Sequence, residues 1–201
     1  MKKIIILGLA MLLILIAAMP IFARSTYYFP GDSMFQIRAG VDFPAFISFY
    51  KDPDRGTVTF KDTHLNLGGY ASLSYQGFIS EYMALGGELT YVFNYSNSNQ
   101  LLTTVPIAAK LTYLPVQTGK FDFAFSLNLG GAFIRYNEGK YFAPFASVTA
   151  TPSFFFTENW GLGVETGLMV TSEFYGKNSN KSMASAFCGL MPVTLVLSYR
   201  H

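Results

Sequence analysis

The chain has a single cysteine, Cys188, in 201 residues, which excludes an internal disulfide and any thiolate metal cluster. With Phe187 and Leu190 as neighbours, its thiol is expected to be a buried or lipid-facing packing group. Histidine is nearly as scarce: His64 lies beside a loop and His201 is the last residue. A Ser-His-acid arrangement needs an oriented imidazole, so no catalytic residue is expected and the chain is not read as an enzyme. No carboxylate–His group has metal-ligand spacing, so no metal and no cofactor are expected. Charge is sparse too, at 13% of residues, with no basic cluster, which argues against a nucleic-acid partner. After residue 23 no apolar run is long enough to span a bilayer as a helix.

What the chain has is alternation. Aromatic residues make up 17% of it, dispersed in segments of period two. The clearest segment is Phe155–Val170. In it Trp160, Leu162, Val164, Thr166, Leu168 and Val170 share one face, while Gly161, Gly163, Glu165, Gly167 and Met169 share the other. The same pattern stands 77 residues earlier: Phe78 matches Phe155, Glu81 matches Glu158, Leu85 matches Leu162, and Glu88 matches Glu165. Such a repeat of turn plus strand suggests equivalent hairpins in one closed sheet.

Residues 1–23 stand apart. Lys2 and Lys3 precede an apolar stretch from Ile4 to Ala18, and Pro20-Ile21-Phe22-Ala23 ends in a small residue. That is the anatomy of a cleavable signal peptide; the alternative is an uncleaved anchor helix. Residues 24–201 then form one domain. Without Lys2 and Lys3 the 14 basic residues become 12, equal to the 12 acidic ones.

The alternation predicts eight strands, over 34–43, 64–76, 83–95, 103–114, 121–136, 141–154, the Phe155–Val170 stretch, and 184–201. Pro144 and Pro152 make the sixth the least regular. Turns near 80, 117 and 157 are short, as is one near 138, while connections near 55, 98 and 179 are longer and polar. The fold class expected is all-β: an eight-stranded antiparallel up-and-down transmembrane β-barrel in the outer membrane, with lipid around it. Tyr82, Tyr91, Tyr113 and Trp160 near strand ends suit an interfacial aromatic girdle. The pairs Gly68-Gly69, Gly86-Gly87 and Gly130-Gly131 read as strand kinks.

By parity, Arg38, Asp42, Glu88, Lys110, Asp122 and Glu165 face the lumen. Eight strands enclose a space just wide enough for side chains or one small ligand. These charges therefore form either a plug of ion pairs or a polar, proton-linked path. Glu88 and Lys110, equidistant from Asn99, are expected to pair across one hairpin, and Arg38 to take Glu165.

Phe35-Gln36-Ile37-Arg38-Ala39-Gly40 resembles the opening strand of the OmpW family of small outer-membrane proteins. Phe156-Thr157-Glu158-Asn159-Trp160-Gly161-Leu162 resembles that family's periplasmic turn and following strand, and Tyr199-Arg200-His201 its terminal Tyr-Arg-Phe. The resemblance implies a narrow, partly apolar barrel that helps small hydrophobic molecules across the outer membrane. It also implies that Tyr199 and His201 form the signal read by the barrel-assembly machinery, with His201 where a terminal Phe is usual. The other function open to such a chain is a surface interaction or structural role carried by its external loops.

Overall fold

A computed structural model describes residues 27–52, 54, 56–136, 139–173 and 185–201. The expected signal over residues 1–23, the loop near 179 and the turn at 137–138 lie outside the described residues. Among the described residues nine strands form one sheet: β1 (Ser33–Phe49), β2 (Thr57–Thr59), β3 (Gly68–Ser80), β4 (Met83–Tyr95), β5 (Leu101–Gln117), β6 (Phe121–Tyr136), β7 (Gly139–Phe155), β8 (Trp160–Glu173) and β9 (Ala186–Arg200). Each long strand pairs antiparallel with its sequence neighbour, and β1 pairs with β9, which closes an eight-stranded barrel. The short β2 is an extra hairpin strand on β1.

The strands run past several expected ends because bulges carry them on. An irregularity between Pro44 and Phe46 takes β1 to Phe49, and one between Tyr113 and Val116 takes β5 to Gln117. The turn expected at 78–82 contracts to Glu81-Tyr82, since Phe78 still pairs with Ala84. Strand β3 starts at Gly68 rather than at residue 64: Phe60–Thr63 form a 3-10 turn and His64 takes a left-handed conformation. Strand β7 tolerates its prolines at a local cost. Pro152 pairs with Phe123 on β6, but it lacks the N–H that would reach β8. The β7–β8 pairing accordingly stops at Ala150–Thr166 and resumes at Ser153–Gly163.

Alternation sets the two faces. Ile37, Leu73, Leu89, Ile107, Leu129 and Leu195 are exposed on the outer wall, while Arg38, Ser74, Glu88, Lys110, Asn128 and Glu165 are buried inside. A continuous apolar outside around a polar inside is the reverse of a water-soluble barrel, and it is stable only with lipid against the wall. Short turns, the segment that leads from Tyr27 into β1 and the C-terminal His201 lie at one rim, the turn end, which is the periplasmic side in such barrels. The other rim, the loop end, carries β2, the Ser96–Gln100 connection and the segment leading to β3.

Candidate functional site

The barrel interior is stacked in three layers. At the loop end Tyr70, Val92, Ala108, Ile134, Phe145 and Leu190 pack into an apolar layer, with Cys188 against it. Cys188 is thus half-buried on the lumen side of β9 and does not face lipid.

The middle layer is a belt of ions. Lys110 Nζ donates to Glu88 Oε2 at 2.7 Å, and Arg38 Nη1 reaches the same oxygen at 3.3 Å. Arg38 Nε donates to Glu165 Oε2 at 2.9 Å. The hydroxyls of Tyr70 and Thr90 donate to Glu88 Oε1, and that of Thr151 donates to Glu165 Oε2 at 2.8 Å. Two cations and two anions, all with side chains 4% exposed or less, make a neutral, buried belt across the interior. Buried charges persist on such terms, mutually paired and hydrogen-bonded.

The register differs from the expected one by two residues, which keeps every side chain on its face. Lys110 stands opposite Gly86, and Glu88 stands opposite Ala108, so the pair is diagonal. Gly86 makes this possible. A Cβ there would lie 2.0 Å from the Tyr75 carbonyl oxygen, so the strands approach too closely for any side chain. The space over Gly86 is what Lys110 leans across.

Asp42 and Asp122 lie apart from this belt, contrary to the expectation of one network of six. Asp42, near the loop end, accepts a bond from Asn94 and has no ion pair among the described residues. Asp122, the second residue of β6, belongs to the floor at the turn end. Parity gives the face of a strand residue but not its height in the barrel, and these two sit about a strand-end away on either side.

The floor is built around Arg200. Its guanidinium lies against the rings of Tyr27 at 3.8 Å and Phe155 at 3.6 Å. It donates from Nε to the Glu158 carbonyl at 2.7 Å, from Nη2 to the Gly119 carbonyl at 2.6 Å, and from Nη1 to the Tyr28 hydroxyl at 3.2 Å. It also pairs with Asp122 at 3.6 Å. Tyr28 enters the barrel from below, stacks on Phe78 at 4.0 Å and donates to Asp122 Oδ2. Burial, and then the Asp122 charge, hold the Tyr28 hydroxyl above the ordinary tyrosine range, so it keeps its proton in this bond. Gln117 accepts from the backbone N–H groups of Tyr27 and Tyr28, and Met34, Ala84 and Leu114 fill the remaining space. A void of about 10 Å³ lies between floor and belt, lined by Gln36, Gln76, Thr112 and Ser126 among others.

The sequence places Arg200 only in the terminal motif and reads Tyr28, near a strand end, as a girdle residue, whereas Tyr28 is buried inside the barrel and Arg200 bonds it there. Arg200 shares inward parity with Ser198, which was a usable signal, whereas Tyr28 precedes every strand and has no parity to read. On the outer wall Tyr91 lies toward the loop end, and Tyr113 and Trp160 lie toward the turn end, all exposed; Tyr82 is in the β3–β4 turn. His201 is exposed, its ring against that of Tyr199 at 5.6 Å, and its backbone exchanges hydrogen bonds with Ser33. His64 is exposed at the loop end.

These features define a small transmembrane β-barrel protein of eight strands, with its apolar wall against lipid. A family model matches residues 19–199, and the chain belongs to the family that this model describes. Neisserial surface protein A is similar in structure, with a TM-score of 0.52 at 13% identity over 84% of this chain and 96% of that one. OprG from Pseudomonas aeruginosa gives 0.48 at 10% identity, over 88% of this chain and 99% of that one. The outer-membrane protein AlkL gives 0.47 at 12%, over 89% and 94%. No curated protein matches the chain.

Proposed function

We propose that the protein passes small hydrophobic molecules into the outer membrane, admitting them at the loop end and releasing them sideways into lipid. The observation that carries this reading is the order of the three layers. An apolar molecule entering from the loop end meets an apolar lining, Val92, Ala108, Ala132 and Phe145 among it. Below that lining it meets a belt of four buried charges, which it cannot cross without desolvating ions that are already paired. The straight route is closed to it and the lipid outside is favourable, so sideways release is the exit this interior favours. Ala132, fully buried in the apolar layer, is the position to block. In cells carrying the protein, uptake of a hydrophobic compound should exceed that of cells without it, and Ala132→Phe should reduce the gain several-fold. Equal uptake with and without the protein refutes transport. It would leave the surface-interaction reading, for which Phe60 is the anchor to test: it is 59% exposed at the loop end on a left-handed backbone.

The outward pair Tyr199 and His201 is proposed as the segment read during barrel assembly. His201 follows the parity of Leu195 and Tyr199, the side on which an aromatic would face lipid. His201→Phe should therefore raise the assembled fraction in a heterologous outer membrane, measured by heat-modifiable gel migration. An unchanged fraction would mean the terminal residue is not read.

A further inference from the structure

We infer that the loop end of the barrel holds a site for a hard divalent cation, calcium fitting it best, built by Asp42, Asn94 and Asn66. Among the described carboxylates inside the barrel, Asp42 alone has no cation in contact, although it is fully buried. Its Oδ1 has no hydrogen-bond partner at all. A buried carboxylate in that condition calls for a positive charge or a proton.

The neighbouring groups answer to a cation. The Asn94 side-chain nitrogen sits among three oxygens: Asp42 Oδ2 at 3.2 Å, the Asn66 carbonyl at 3.3 Å and the Asp42 carbonyl at 3.5 Å. All three contacts are long for N–H···O bonds. The oxygen of the same amide, Asn94 Oδ1, is buried and also lacks a partner. Rotating the amide by half a turn would bring that oxygen toward the other three. One carboxylate, one amide oxygen and two backbone carbonyls are a hard oxygen set of the kind calcium takes, with waters completing the shell. Magnesium, which demands a tighter octahedron, suits such a loose cage less well.

Gly68 packs tightly beside these groups, and a Cβ there would lie 1.9 Å from the Phe93 carbonyl oxygen. It pairs with Asp42 across the ladder, and a Cβ on it would lie 2.4 Å from the Asn94 side-chain nitrogen. Any larger residue would push the amide out of the cage. Access comes from the loop end, because Asn66 is exposed in the segment that enters β3. The three donors come from β1, β4 and that segment, so an ion here ties adjacent wall elements together at the rim.

The test uses the protein purified from the membrane in detergent, treated with a chelator and then dialysed free of it. Calcium chloride in the millimolar range should raise the melting temperature, read as loss of the heat-modifiable form, by about 3–6 °C, and magnesium chloride by less. Asp42→Asn should abolish the calcium shift, and Asn94→Asp, which adds a carboxylate, should enlarge it. Should Asp42→Asn fail to assemble, terbium luminescence of the unmodified protein, sensitised by its tyrosines and competed away by calcium, gives the same answer. A wild-type protein indifferent to calcium overturns the site and leaves a protonated Asp42. A calcium shift that survives in Asp42→Asn overturns it as well, placing the ion elsewhere on the protein.

Discussion

Replacing Glu88 by Gln should lower barrel stability by about 3–5 kcal/mol, and adding Lys110→Met should restore most of that loss. The expectation follows from the charge count of the belt. Arg38 and Lys110 balance Glu88 and Glu165, and all four are buried. Glu88→Gln leaves a net positive charge among buried side chains, and Lys110→Met alone leaves a net negative one. The double variant is neutral again and keeps the Arg38–Glu165 pair at 2.9 Å. Methionine fills much of the volume of the lysine stem, so the cavity left behind is small. Urea unfolding of the four proteins in lipid vesicles supplies the cycle. Single losses that simply add in the double variant would show the two side chains to be energetically independent, whatever their separation.

The second large effect is expected at the opposite end of the interior. Arg200→Met should cost about as much again, since it leaves Asp122 buried without its cation. Arg200→Lys should recover little of it. A lysine has the charge, but it cannot lie flat against Tyr27 and Phe155 while serving the Glu158 and Gly119 carbonyls and the Tyr28 hydroxyl. Asp122→Asn in the Arg200→Met background should recover more than lysine does, because it removes the orphaned charge. Released Tyr27 and Tyr28 should also become open to proteolysis in the folded barrel. A lysine variant as stable as wild type would mean that the guanidinium shape is irrelevant and the floor is held by charge alone.

How much of this could be read before the structure depends on what alternation encodes. Period two gives the face of every strand residue, so the inward placing of Arg38, Glu88, Lys110 and Glu165 was legible. The 77-residue repeat added something alternation could not. Glu88 and Glu165 occupy equivalent places in two hairpins, and Arg38 lies between them, bound to both. Height was not legible, because it depends on the stagger of the strands and on bulges such as those at Pro44 and Val116. That is why Asp42 and Asp122 read as members of the belt when one sits near the loop end and the other in the floor. Strand ends were misjudged for a related reason. Pro44 and Pro115 look like terminators, yet each lies at or beside a bulge that absorbs it. The floor was least legible, since Tyr28 comes from a segment with no periodicity and is recruited by residues up to 172 positions away.

The break in the wall at Pro152 gives the belt a mechanical task. A closed sheet resists opening through its ladder of backbone bonds, like a barrel held by hoops, and between β7 and β8 two residue pairs are missing. At that height the hydroxyl of Thr151 on β7 bonds the carboxylate of Glu165 on β8, which Arg38 in turn grips from β1. The side chains act there as a rivet through the gap and a tie rod across the bore. Wall and filling are therefore not separable parts, because strain on the seam is carried inward to the same arginine that holds the two repeat glutamates.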